Sequence, residues 1–344
     1  MPINKQHQFY QEDLSYILSV RGIDTLLGKS NLLTGATGIV GTCLIDALMK
    51  FNSESSVGIN IFAVGRSRGK AKSRLGEYYS SDFFHFIEQD VREPFPEYVK
   101  PDYVIPLASN THPMAYSRYP VETIEINVKG AENALKKAAE CGAVVLYPFT
   151  VEVYGNGEEV FTEDYTGKLN LSTSRACYTE SKRVSEALCQ SYIAEYGVNC
   201  KIVRLSRLFG PTMLDSDTKA SSQFILKALA GEDIVLKSKG NQYFSYTYVA
   251  DAVQAILYVM LNGECGQAYN VASEKCNVRL ADFAKECASI AGKTVVFDLP
   301  SATEARGYSV ATKAILDIRK ISEIGWSSRY AFKEALTRTY SVLK

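Results

Sequence analysis

The stretch Leu33-Thr34-Gly35-Ala36-Thr37-Gly38-Ile39-Val40-Gly41 spaces three glycines three residues apart, between an apolar segment and a run with helical periodicity. It reads as a short strand, Asn31–Thr34, a glycine turn, and a helix, Ile39–Phe51. The same alternation continues downstream. Ile59–Val64, Phe84–Glu88, Tyr103–Ala108, Val144–Pro148 and Cys200–Leu205 read as further strands, and Val121–Cys141 and Tyr178–Tyr196 as long helices. Strands joined through helices pair in parallel and need cover on both faces, so the expected class is α/β with a doubly wound parallel sheet. Residues 1–29 read as an appended helix, with Leu14, Ile17 and Leu18 at helical spacing behind Gln11, Glu12 and Asp13. From residue 206 the rhythm breaks, and 206–344 reads as a smaller mixed region whose strands return in places to the main sheet.

Composition narrows what such a fold can serve. With 46% apolar and 22% charged residues, the 344-residue chain can bury a full core. Lys+Arg and Asp+Glu balance at 38 each, so no global field favours nucleic acid or an anionic membrane, and any phosphate site must be local. Eight cysteines stand at 43, 141, 177, 189, 200, 265, 276 and 287 without a C-x-x-C pair, and with three histidines they assemble no metal set by spacing; they read as free thiols. The N-terminus has neither the basic start nor the apolar core of a signal peptide, and no apolar run reaches the roughly 18 residues of a membrane span. The cytoplasm is the expected location.

At the glycine turn, Gly35 permits a tight bend, Gly38 lets the backbone approach a pyrophosphate, and Gly41 lets the helix pack close on the strand. Thr37 and Ile39 flank the helix start, whose free N–H groups and partial positive charge attract phosphate. The second strand ends in Val64-Gly65-Arg66-Ser67-Arg68, with no acidic residue for the adenosine ribose. Arg66 with Ser67 either pairs with a 2′-phosphate, which favours NADP, or stacks on adenine with NAD bound. Asp90-Val91 follows the third strand and either meets the adenine or lies in a solvated turn.

Tyr178-Thr179-Glu180-Ser181-Lys182 opens a helix about 140 residues past that turn. An i,i+4 pair shares one helical face, and a cation near a phenol favours the phenolate, preparing it to exchange a proton with a hydroxyl. Pro148-Phe149-Thr150-Val151-Glu152-Val153-Tyr154-Gly155 closes the preceding strand.

Together these motifs resemble the extended short-chain dehydrogenases/reductases, the NAD-dependent epimerase/dehydratase family of sugar-nucleotide enzymes. The turn resembles their TGxxGxxG, and Thr150–Gly155 their ST-x-E-V-Y-G. Cys177–Glu186 repeats the CYxExKRxxE of UDP-glucuronate decarboxylases, the group closest in style. Arg204–Pro211, Tyr248–Asp251 and Gly325-Trp326 match further family segments. The resemblance implies a Rossmann-like domain over 30–205, a mainly substrate-binding region over 206–344, and a homodimer built on the Tyr178 helix through Val184, Ala187, Leu188 and Ile193. It implies Tyr178, Lys182 and Thr150 as catalytic residues, with Glu152 either a base beside the sugar or a carboxylate capping the loop. Leu107, Ala108, Ser109 and Asn127 are implied beside the nicotinamide ribose. Asn110, Thr111, Arg207, Gln242 and Arg306 are implied at a nucleotide-diphosphate sugar.

This chain also departs from the pattern. Val151 replaces the acid that dTDP-glucose 4,6-dehydratases use for water loss. Arg207 replaces the usual Asn, Thr212 an Arg, and Phe244 an Arg that holds the nucleotide diphosphate in several relatives. The implied activity is hydride exchange at carbon 4 of the sugar, of the epimerase, dehydratase or decarboxylase type. The alternatives are an NADPH-dependent 4-keto-sugar reductase and a non-catalytic dinucleotide sensor.

Overall fold

The computed structural model describes residues 3–157, 160–298 and 312–344. At its centre lie seven parallel strands in the spatial order Ala268–Val271, Cys200–Leu205, Val144–Thr150, Tyr103–Pro106, Ser30–Thr34, Asn60–Gly65, Phe84–Glu88. The chain runs outward from Ser30–Thr34 to one edge, then returns to build the other half. The reversal falls between Ser30–Thr34 and Tyr103–Pro106, paired from Asn31↔Tyr103 to Thr34↔Pro106. A sheet of this kind opens a crevice at the carboxyl ends of the two strands where the order reverses. Leu32 and Leu33 are fully buried there, as expected of strands covered on both faces.

The helices Pro120–Cys141 and Ala176–Tyr196 lie side by side on one face. Gly130, Ala131, Ala134 and Ala138 keep the first helix slim where it is buried. Asn127 donates to the Ser181 hydroxyl at 2.8 Å, and the Ser185 hydroxyl donates to the Asn127 carbonyl at 3.0 Å, which locks the two in register. The other face carries Val249–Asn262, apolar almost all round and buried over most of its length.

A second, mixed sheet forms around Tyr243–Tyr248, which pairs in parallel with Lys313–Leu316 and Arg207–Phe209 and antiparallel with Asn277–Arg279. Ala268–Val271, far along the chain, joins the edge of the main sheet. The N-terminal segment forms the helix Gln8–Ile17 and a 3-10 turn, Ile23–Leu26, and buries Tyr10, Leu14 and Ile17. Among the described residues no helix is long and apolar enough to cross a membrane.

Candidate active site

A cleft of about 1160 Å³ runs from the glycine turn, across the carboxyl ends of the main strands, to the second sheet. Its first wall is set by backbone geometry. Gly35 has φ +64°, and a Cβ there would stand 2.7 Å from the Leu107 carbonyl carbon. A Cβ on Gly41 would stand 2.5 Å from the Gly35 oxygen, so the helix can enter this close to the strand only without a side chain. The Thr34 hydroxyl accepts the Ala108 N–H at 3.0 Å and ties the two strand ends together. Gly38 caps Ile39–Glu54 without a side-chain hydrogen bond, leaving the first N–H groups of the helix facing the cleft. Thr37, Ile39, Ser67, Asp90, Val91, Leu107, Ala108, Ser109 and Thr111 line the same wall. These residues fit a dinucleotide, with a pyrophosphate on the turn.

Two residues at this end are already engaged. Arg66 lines the cleft but forms an ion pair with Glu122 of the long helix at 2.8 Å. Asp90 is gripped by the Arg92 guanidinium at 2.9 Å and by the Arg92 N–H at 2.9 Å; those hydrogen bonds hold its carboxyl below the usual range.

Asn127 and Asn110 do not line the cleft. Asn127 is buried and accepts from the Ser109 hydroxyl at 2.7 Å, so it holds a lining residue in place. Asn110 donates to the Thr123 hydroxyl at 3.1 Å. Arg306 lies outside the described residues.

In mid-cleft, Thr150 ends the strand Val144–Thr150 and caps a 3-10 turn, Val151–Tyr154, that carries Glu152. Tyr178 and Lys182 project from the first turns of Ala176–Tyr196, and all four residues line the cleft. Tyr178 is only 8% exposed, its ring stacked on Tyr116 with centroids 5.2 Å apart. Burial pushes its phenol well up, the Glu152 charge adds to this, and the neighbouring Thr150 hydroxyl acts in the opposite sense. Lys182 is buried too, its Nζ 5.8 Å from the ring centres of both Tyr147 and Phe149 and without a hydrogen bond among the described residues. Burial brings its pKa down to about 8. The spacing of the pair predicts a phenol eased down by a cation, and the free protein differs. Both groups are too deeply desolvated for that effect to dominate.

Three lining residues escape the motifs. Tyr116 sits on the short helix Pro113–Arg118, and its packing on Tyr178 is purely tertiary. Arg175 lines the cleft just before the helix Ala176–Tyr196 begins, and its place three residues ahead of Tyr178 was the available signal. His112 meets the Thr218 hydroxyl at 3.4 Å across the opening. At the far end, Arg207, Gln242 and Phe244 line the wall formed by the second sheet.

Residues 31–272 match the model of the NAD dependent epimerase/dehydratase family. The chain belongs to this family. UDP-glucuronic acid decarboxylase 1 of Xenopus tropicalis is 33% identical over 315 residues, covering 90% of this chain and 71% of that protein. UDP-glucuronic acid decarboxylase 6 of Arabidopsis thaliana is 34% identical over 258 residues, 74% of this chain and 73% of its own length. Among solved structures, UDP-glucuronic acid 4-epimerase from Bacillus cereus matches with a TM-score of 0.76 at 20% identity, covering 91% of this chain and 98% of that one. The chain is therefore an enzyme of the epimerase/dehydratase family, with its Rossmann-like α/β fold.

Proposed function

We propose that this enzyme modifies a nucleotide-diphosphate sugar by reversible hydride exchange at carbon 4. The carrying observation is that Thr150, Tyr178 and Lys182 line one cleft, between a dinucleotide cradle on one side and the second sheet on the other. A bound nicotinamide supplies the hydride acceptor. Tyr178 takes the proton from the sugar hydroxyl, and Thr150 orients that oxygen. Lys182, at about 8, is largely charged near neutrality; its charge favours the phenolate that Tyr178 must be in order to take that proton, and its ammonium would hydrogen-bond the cofactor ribose. A dinucleotide-binding part over 30–205 and a substrate-binding part over 206–344 divide the work.

Val151 is buried and carries no proton, which argues against elimination of the dTDP-glucose 4,6-dehydratase type and leaves epimerisation or decarboxylation. The curated relatives are named for decarboxylation of UDP-glucuronic acid. A uridine nucleotide is therefore the first to test. For the cofactor, Arg66 is the deciding residue. A 2′-phosphate would have to displace Glu122 and then lie beside its charge, so the ion pair favours NAD over NADP. NAD is also the cofactor named with the Bacillus cereus epimerase. The same pair weighs against the NADPH-dependent reductase.

The test is to release and identify the cofactor of the purified protein, then offer it UDP-, dTDP-, GDP- and CDP-sugars. We expect NAD and turnover without net reduction. Stoichiometric NADPH consumption would establish the reductase. No change in nicotinamide absorbance with any sugar would leave a dinucleotide sensor.

The assembly we propose is a homodimer through the paired long helices. Val121, Ile124, Val184 and Ala187 are exposed on them, with Leu188 and Ile193 half-buried. A single species of monomer mass at micromolar concentration in sedimentation would overturn it.

A further inference from the structure

Arg207 is held unlike the other half-buried arginines of this chain. Arg204 is tied to Glu186, the Tyr154 hydroxyl and the Glu163 carbonyl, and Arg183 to Glu180 and the Val153 and Gly167 carbonyls. Arg207 has one polar contact among the described residues, a long 3.5 Å approach of Nη2 to Glu152, and its buried Nη1 has no hydrogen-bond partner. What fixes it is an aromatic platform, with the guanidinium carbon 3.7 Å from the centre of the Phe244 ring. The pairing Tyr246↔Arg207 between Arg207–Phe209 and Tyr243–Tyr248 sets this stack. Both positions are departures from the family pattern, an Arg where Asn is usual and a Phe where several relatives carry Arg. In this chain the guanidinium comes from one strand of the second sheet and the ring from its neighbour.

Arg207 lies near the proposed chemistry. The Glu152 carboxylate that Arg207 approaches lies two residues after Thr150, and both Glu152 and Arg207 act electrostatically on Tyr116, the ring stacked on Tyr178. Glu152 is 41% exposed at its side chain and its contact is long, so it is a weak and exchangeable partner. A carboxylate of the chain itself thus makes the guanidinium's one polar contact among the described residues.

We propose that Arg207, seated on Phe244, is a specificity-determining residue that selects a substrate whose sugar carries a carboxylate, which displaces Glu152 from the guanidinium. The inference rests on the nucleotide-sugar reading above and deepens it. Displacement also frees Glu152 beside Thr150, so binding of an acidic sugar and arming of that carboxylate become one event. No bond is made or broken in the exchange.

Calorimetry on the NAD-loaded protein with UDP-glucuronic acid, UDP-glucose and UDP tests the idea. Wild type should bind the acidic sugar more tightly than the neutral one. Arg207→Met should weaken UDP-glucuronic acid by about 10- to 100-fold, the range of a charge-assisted hydrogen bond, and change UDP-glucose and UDP by less than about threefold. Arg207→Lys, which keeps the charge but not the planar fork, should fall between. Glu152→Gln should tighten the acidic sugar alone, because nothing then competes for the guanidinium. Unchanged NAD affinity and circular dichroism certify that each variant is folded. Equal losses for all three ligands in Arg207→Met would make Arg207 a diphosphate clamp and overturn the inference. So would equal wild-type affinity for the two sugars, while leaving the nucleotide-sugar reading intact. A wild type that binds NAD but none of the three ligands overturns both.

Discussion

Two clusters of buried charge in this chain are built on opposite terms. Under the N-terminal helix, Asp13 is 1% and Arg338 is 6% exposed, and they meet at 2.7 and 2.9 Å. Arg338 also donates to Glu12 at 3.0 Å and to the Phe9 carbonyl at 2.7 Å. Nearby Asp46 is satisfied by Lys5, Tyr10 and Tyr78 at 2.7, 2.6 and 2.9 Å. In the cleft, Lys182 is buried as deeply, yet among the described residues its ammonium has no hydrogen bond, and two aromatic ring centres lie 5.8 Å away. The first cluster gives each of its charges several hydrogen-bond partners and joins residues far apart in the chain. The second leaves a cation without a hydrogen bond among the described residues, and the proposed mechanism uses it on ribose hydroxyls and a phenolate. The well-partnered cluster reads as structural, and the underpartnered cation belongs to the proposed reactive site.

The largest effect should come from the reactive cluster. Tyr178→Phe removes one oxygen and leaves the stack on Tyr116 in place. Single-turnover hydride transfer should fall by roughly 10²–10⁴-fold with NAD affinity little changed, as expected when a positioned acid/base is lost. Transfer at the wild-type rate would end the proposed mechanism and this half of the contrast.

In the structural cluster the effect should fall on stability instead. Arg338→Met strands Asp13, and urea unfolding should register a loss of about 3–5 kcal/mol, the range for breaking a buried pair. Hydride transfer by the still-folded protein should be unaffected. A loss below about 1 kcal/mol would mean that the pair contributes no more than surface charges do.

Lys182→Met sharpens the comparison by reversing its sign. An unfolded lysine titrates near 10.5 and Lys182 near 8, so burial of its charge disfavours folding by about 3 kcal/mol. Between those values the unfolded chain holds more protons than the folded one, so wild type gains stability as pH rises. That penalty is present in full below pH 8 and gone above 10.5. The free variant should therefore be more stable than wild type at pH 7, by up to about 3 kcal/mol, with the gap narrowing by pH 9.5, and it should be inactive. A destabilised variant at pH 7 would show that the ammonium is structural.

The smallest effect belongs to an exposed pair. Arg66→Ala should change stability by less than about 1 kcal/mol, because the Arg66 side chain is mostly exposed and Glu122 partly so. Its readout is cofactor choice. NADPH affinity dropping far more than NADH would restore Arg66 as a 2′-phosphate reader.

The parts of this protein legible in its sequence are those decided by near neighbours. A glycine at φ +64° facing the Leu107–Ala108 backbone, and a Tyr and Lys on one helical face, announce themselves through spacing over a handful of residues. The alternation of apolar strands with helices did the same for the parallel sheet. What spacing could not reveal is which distant groups meet. Glu122 reaches Arg66 across 56 positions, Asp13 finds Arg338 across 325, and Phe244 slides beneath Arg207 only once two strands of the second sheet have paired. Those meetings settle which charges are quenched, which are desolvated and which stay open to a ligand. The protonation of Tyr178 and Lys182 followed the same rule. Motif spacing pointed to an eased phenol, whereas the cleft raised the phenol and lowered the amine. Local order along the chain pointed to the proposed catalytic residues and the proposed cofactor cradle. Tertiary packing alone determined their electrostatics and the wall that faces the substrate, because burial and long-range pairing exist only in the folded chain.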